Sequence, residues 1–253
     1  MNKIGCVHFQ FLPMGHRVLF TSALIVLSTG YLFAMIYIFS SHAGRDGKPG
    51  LSVNDLIIAY SGSDSDTRLE AALKGPMANM LPDAEKIQIS AWVRSGAEKQ
   101  TFGSSGVESI IANRCLTCHN GTNPHIPNFS EFDNLATMTE KDTGMDLFTL
   151  VRVSHIHLFG ITFIFFIVST IFSHAYIRPL WVKCLLIVIP FVAILADIAS
   201  WYLTKVFAPF AWVVMISGAL MGASFAAQFC ISIYQIWWLK LPGFVIENEG
   251  RVS

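Results

Sequence analysis

Charge is scarce in this chain. Only 13% of its 253 residues are Asp, Glu, Lys or Arg, while 53% are hydrophobic. That balance is too apolar for an ordinary soluble domain. Cysteine is scarce as well, with five in all, and neither their positions nor their spacing suits a disulfide framework. Cys6, Cys184 and Cys230 lie in or beside apolar stretches and read as small apolar residues. Several catalytic signatures are missing. There is no P-loop, no dinucleotide-binding glycine fingerprint, no Ser/His/Asp spacing and no histidine-rich metal tract. Nothing in the residues supports hydrolase or transferase chemistry.

What the chain has instead is apolar length. Four runs stand out: Val18–Phe39, Leu158–Ile177, Val182–Leu203 and Phe210–Ile233. Each reaches the roughly 20 residues that a helix needs to cross about 30 Å of hydrocarbon. Helices are the expected form, because an open sheet edge has no hydrogen-bond partners in lipid. The remaining apolarity is too interrupted for the whole chain to lie in a membrane.

Positive charge predicts the orientation. Lys3 and Arg17 precede the first run, Arg178 and Lys183 flank the turn between the second and third, and Lys240 follows the fourth. Alternating spans put all of these on one side, which the positive-inside bias makes cytoplasmic. Both termini are then cytoplasmic. Ser41-His42-Ala43 loosely resembles a signal-peptide cleavage site. The preceding apolar run is longer than a signal h-region of about 7–15 residues, so a retained anchor is expected.

The predicted organisation is residues 1–43 for the N-terminal segment and first span, 44–147 for an exported domain, 148–240 for spans two to four, and 241–253 for a cytoplasmic tail. The exported stretch carries nine Lys/Arg and fourteen Asp/Glu, a net of −5, and the rest of the chain is +5. An acidic exterior domain argues against nucleic acid and anionic lipid, and suits a partner protein with a basic face.

That exported stretch contains Cys115-Leu116-Thr117-Cys118-His119. Two thiols two residues apart, followed at once by a histidine, form a c-type haem attachment pattern. The thiols add to the two haem vinyl groups, and His119 becomes the proximal iron ligand. A redox CxxC pair would not need the histidine. A tetrahedral zinc site would need further thiol or imidazole ligands, and His125 is the only other one nearby after His42. One covalently held haem c is therefore expected.

The rest of the domain is expected to be helical. Asp64–Leu73 has helical composition, with Asp64 or Asp66 as cap. Leu81–Ala97 opens on Pro82, Asp83 and Glu85 and carries an apolar face of Ile87, Ile89, Trp92 and Val93. Ser105–Cys118 runs into the haem motif, with Val107, Ile110, Ile111 and Ala112 buried. Asn120–Asn128 holds Gly121, Pro124 and Pro127 and reads as loop.

The run from Met77 through Leu81-Pro82 to Trp92-Val93-Arg94 resembles the last part of a class I cytochrome c. In that family a ligand methionine precedes a short loop and a final helix ending in Trp-Val or Tyr-Val. The family's haem motif comes first, and Ser105–His119 resembles that first part. This chain thus looks like a class I cytochrome with its halves in swapped order, joined through Gly96–Ser104. The resemblance covers about sixty residues. It implies Met77 as sixth iron ligand, fifteen residues before Trp92. Met80, twelve before, is the tighter alternative. His125, Met138 and Met145 are further competitors.

Spans two to four exceed what tethering needs. Span two begins Arg152-Val-Ser-His155-Ile-His157, and span three holds Asp197-Ile-Ala-Ser200-Trp201 with Lys205 beyond. An ionisable residue inside a span is a functional candidate by default. Asp197 and His157 have nearly equal predicted depth, about two turns below the outer surface. Asp197 with His155 or His157 is therefore a candidate proton or quinol site. An additional haem b is the other sharp reading, with His16 and His174, or His42 with His155 or His157, as ligand pairs. His174 is expected near the cytoplasmic end, roughly 28 Å from His155 at helical rise. A structural interhelical bond is the plain alternative. Gly218 and Gly222 form a GxxxG pair that permits close helix approach.

The sequence thus predicts an all-α chain: four transmembrane helices, with a small α-helical cytochrome c domain inserted between the first two. The expected role is single-electron relay on the periplasmic side of a bacterial inner membrane, as a subunit of a respiratory complex. A quinol-oxidising module and a haem-based gas or redox sensor are the alternatives.

Overall fold

The computed structural model describes residues 7–124 and 126–242. The chain is helical, with α1 Met14–His42, α2 Val53–Ser61, α3 Arg68–Lys74, α4 Asp83–Arg94 and α5 Lys99–Phe102. There follow α6 Val107–Ile110, α7 Phe132–Thr137, α8 Leu147–Phe172, α9 Leu180–Thr204 and α10 Ala211–Trp237. Among the described residues the only β feature is one antiparallel bridge, Thr67 with Lys141. The chain divides into an inserted unit, Tyr37–Asp146, and a unit made from the flanking segments. Lys3, Cys6, His125 and the tail beyond Pro242 fall outside the described residues.

In the flanking unit, α1, α8, α9 and α10 are each long and apolar enough to cross a membrane. The all-α, multi-pass architecture is as the four apolar runs imply. The second span is displaced from its expected position. It starts at Leu147 rather than Leu158 and ends at Phe172 rather than Ile177. Its first turns hold despite Arg152 and His155, because Leu150 is buried and Ser154 bonds the Tyr202 hydroxyl at 2.9 Å. It ends early because Gln235 of α10 captures the chain just beyond it. The Tyr176 N–H donates to Gln235 Oε1 at 2.7 Å, and Gln235 Nε2 donates back to the Tyr176 carbonyl at 2.9 Å. His174 is therefore not in the helix. Its Nδ1 donates to the Val7 carbonyl at 2.6 Å.

The same knot holds the N-terminal segment. His8 Nδ1 accepts from the Gln10 N–H at 3.2 Å, so its proton sits on Nε2, which donates to Gln235 Oε1 at 3.1 Å. Burial pushes the imidazole below its ordinary pKa; the Gln235 bond opposes this, and the charge of Arg17 adds to the lowering. Arg17 ties the turn further, donating to the Phe9 and Gln10 carbonyls at 3.1 and 2.7 Å.

A proline sits inside α9. Pro190 has no N–H, so the Leu186 carbonyl four residues back loses its helical donor. In hydrocarbon no water replaces it. Two side chains of α10 do: Ser224 Oγ donates to that carbonyl at 2.7 Å and Gln228 Nε2 at 2.9 Å. Gln228 is fully buried, and its own oxygen accepts from Ser169 Oγ of α8 at 3.0 Å. One missing backbone donor thereby fixes the register of three helices. The GxxxG pair acts differently from the expected helix contact. A Cβ at Gly218 would meet nothing within 4 Å, and one at Gly222 would meet the Tyr31 hydroxyl at 3.5 Å. Tyr31 of α1 stacks on Phe225 with centroids 4.6 Å apart.

In the inserted unit, local capping determines the helices. Ser52 and Asp55 form a capping box on α2, and Thr67 and Glu70 form one on α3. Asp64 and Asp66 are thus not caps. Asp66 pairs with Lys74 at 2.6 Å and Asp64 with Lys141 at 2.8 Å. Gly62 and Gly144 approach so closely that a Cβ on either would run into backbone, Asp142 for Gly62 and Tyr60 for Gly144, and both have positive φ. The core packs Ile89, Trp92 and Val93 of α4 against Val107 and Ile111, with Leu69, Leu73, Phe129 and Leu135 around them. The linker between α4 and α6 is more than loop. It carries the turn α5, whose Phe102 packs on Trp92 at 5.4 Å and on Phe132 at 5.3 Å.

Gln228→Leu should destabilise the protein by about 1–3 kcal/mol, the usual cost of removing one partner from a buried hydrogen-bonded set: the Leu186 carbonyl keeps only Ser224, and the Ser169 hydroxyl loses its acceptor. In a Pro190→Ala background the helix supplies the missing N–H, and the same change should cost clearly less. Thermal unfolding in detergent over the double-mutant cycle tests this. Additive effects would refute the repair.

Candidate cofactor-attachment site

The Cys115–His119 segment follows directly from the core helix. After α6 the helix widens into a π turn over Ile111–Cys115, closed by the Leu116 N–H on the Ile111 carbonyl at 3.0 Å. The chain then tightens. The N–H groups of Cys118 and His119 both donate to the Cys115 carbonyl, at 3.1 and 2.8 Å. Cys115 and Leu116 pack against the core, while Cys118 is exposed. Both cysteines are free thiols.

His119 is held on three sides. Its Nδ1 lies 2.8 Å from the Pro127 carbonyl. A carbonyl only accepts, so the proton sits on Nδ1 and Nε2 presents its lone pair. The imidazole stacks on Phe129, with centroids 4.3 Å apart and planes 3° off parallel. The Phe129 N–H also donates to the His119 carbonyl at 2.8 Å. The loop that brings Pro127 round is braced by Asn120, whose Oδ1 accepts from the Thr122 N–H and hydroxyl at 3.0 and 2.6 Å. Asn128 Oδ1 accepts from the Ser130 N–H at 2.9 Å. The Pro127 carbonyl thus sets the tautomer of His119.

The thiol electrostatics argue against a redox pair. Burial and the Glu85 carboxylate both push the Cys115 thiol above its usual pKa. Reactive CxxC cysteines are shifted the other way. Glu85 itself pairs with Arg114 through Oε1 at 3.1 Å, and its Oε2 is buried with no hydrogen-bond partner among the described residues. Among those residues no three His, Cys, Asp or Glu side chains gather where a metal ion would bind.

The apolar core is incompletely covered. Met77, Leu81, Phe102, Phe132 and Met138 pack against it and remain only partly buried, as do Cys115 and Leu116. The two favoured methionines separate here: Met77 belongs to this set, whereas Met80 is 67% exposed. Met138 joins Met77 against the core. Met145 is tied through its N–H to the Ala59 carbonyl at 3.0 Å. Sequence reasoning did not find Pro127, Phe129 or Glu85. Pro127 acts through a backbone carbonyl, which no side-chain motif reports.

In the membrane unit, Asp197 is buried at 7% exposure. No hydrogen bond or ion pair among the described residues joins it to His155 or His157. Its neighbour is the indole of Trp201, one turn along. His157 meets that indole edge-on at 5.3 Å, and its Nδ1 donates to the Val153 carbonyl at 2.9 Å. His155 is exposed. The His16 and His174 rings both pack on Phe20, at 6.4 and 5.6 Å. The His42 ring bonds within its own helix, to Ser41 and the Ile38 carbonyl.

In protein carrying no haem, alkylation of Cys115 by iodoacetamide should shift to lower pH in Glu85→Gln, because a charge that disfavours the thiolate is gone. Mass spectrometry of the Cys115 peptide across a pH series reads this. An unmoved profile would show that Glu85 does not act on the thiol.

A family model described as a transmembrane helical domain matches residues 132–242, which take in α7 to α10. No curated protein and no solved structure matches the chain. The family match and the four membrane-length helices together make this a multi-pass membrane protein.

Proposed function

We propose that this protein is a membrane-anchored, single-haem c-type cytochrome that relays electrons one at a time. The observation that carries this reading is His119, fixed by Pro127 with Nε2 open, one residue beyond a pair of free thiols spaced for two vinyl groups. The residues fit the group. A haem needs one imidazole lone pair, two thiols and an apolar wall, and the partly covered core beside Cys115 is such a wall.

Bound there, haem c supplies a one-electron iron couple. The chain does the rest. Cys115 and Cys118 would form the thioethers. His119 would bind the iron through Nε2, and the Pro127 carbonyl keeps its ring oriented and basic. Met77, against the core, would be the second iron ligand, and Met80 is the less favoured one. A His–Met pair raises the potential. The class I likeness supports the swapped arrangement, since α4 and α6 are neighbours in the core although α4 comes first in sequence.

The positive flanks Arg17, Arg178, Lys183 and Lys240 support a bacterial inner membrane location with the haem domain in the periplasm. The domain's net charge of −5 supports a redox partner with a basic face. Three spans beyond the anchor support assembly with other subunits of a respiratory complex.

Purified protein should carry about one haem c per chain, read as added intact mass and by pyridine haemochrome. Met77→Ala should remove the methionine–iron charge-transfer band of the oxidised protein, and Met80→Ala should keep it. A mature chain with no added mass would overturn the reading. A band surviving in Met77→Ala would overturn that ligand.

A further inference from the structure

The cluster around Asp197 is not used by electron relay. Asp197 lies in a membrane-spanning helix, buried, with no cationic partner among the described residues. Such a carboxyl is costly unless it serves a purpose. Trp201 stands one turn along on the same face of α9, and His157 of α8 packs against its ring. The Val153 carbonyl accepts from His157 Nδ1, so Nε2 is a bare lone pair. His157 is only half-buried, whereas Asp197, Ser200 and Thr204 of α9 are buried.

We propose that His157, Trp201 and Asp197 bind the head group of a lipid-soluble quinone or quinol. The chemistry matches on each count. The site lies within the spans, so its ligand must travel in hydrocarbon. Hydrogen-bonding groups from two helices, an imidazole acceptor and a carboxyl, lie beside one buried indole. A flat ring with oxygens at opposite ends offers a partner to each and an aromatic surface between. His157 is the half-buried member of the cluster, through which a ligand would reach the buried Trp201 and Asp197. His155, two residues away, points elsewhere on the helix and is not part of the site. This site is independent of the haem reading, since it lies wholly in the membrane unit.

The test uses the full chain in detergent with decylubiquinone, and binding is followed by quenching of tryptophan fluorescence. Saturable binding is expected, weakened about tenfold or more in His157→Phe and in Asp197→Asn, one decade in Kd being about 1.4 kcal/mol. His155→Phe should leave it within about twofold. Affinity unchanged in both site variants, or no saturable binding to the wild type, overturns the proposal. If a variant does not fold, an azido-quinone photolabel on the wild type decides. Label on peptides containing His157 or Trp201 supports the site, and label confined elsewhere, or absent, overturns it. Haem content measured on the same samples separates the two readings: a chain without haem that binds quinone fails only the cytochrome reading, and the converse fails only this one.

Discussion

In hydrocarbon, a backbone carbonyl without a donor has nowhere to turn, and that constraint organises the membrane unit. It makes the spans helical to begin with. It also explains why a helix interrupted by Pro190 is stable. The freed Leu186 carbonyl is taken by Ser224 and Gln228, and Ser169 completes the set from α8. Gln235 repeats the device on the chain beyond α8, taking both the N–H and the carbonyl of Tyr176. Buried amides and hydroxyls that look misplaced in an apolar helix are thus donors aimed at backbone gaps. Asp197 and His157 differ from them: no backbone gap among the described residues lies beside Asp197, and both stand next to the indole of Trp201.

The inserted unit meets the same accounting by different means. Its helices are short, so capping boxes at Ser52 and Thr67 matter more than length. Buried acids are paired or take N–H donors: Glu70 with Arg94 at 3.1 Å, Asp55 with the N–H groups of Asp46 and Ser52 at 2.8 and 2.7 Å. Around Cys115–His119 a tight turn, a loop carbonyl and a stacked phenyl ring hold one imidazole in one tautomer.

The four spans were legible because roughly twenty apolar residues in a row have few alternatives. The thiol pair and His119 were legible because their spacing is chemical. The ends of α8 were not. They depend on Ser154 meeting Tyr202 and on Gln235 meeting Tyr176, contacts between residues dozens of positions apart. The caps of α3 were misjudged because five acidic or hydroxyl residues, Ser63 to Thr67, stand together in sequence. Only the fold shows that Asp64 and Asp66 are engaged by Lys141 and Lys74, leaving Thr67 and Glu70 to form the box.

By itself, the amino-acid sequence determined the helical class, the number of membrane-length segments, the insertion between the first two, and the thiol–thiol–imidazole motif. All follow from local composition and spacing. Tertiary structure alone decided which nitrogen of His119 is open, that Met77 packs against the core while Met80 does not, and that His157 of α8 meets Trp201 of α9. Each of these depends on where a carbonyl or a ring from a distant part of the chain comes to rest, and periodicity carries no information about that.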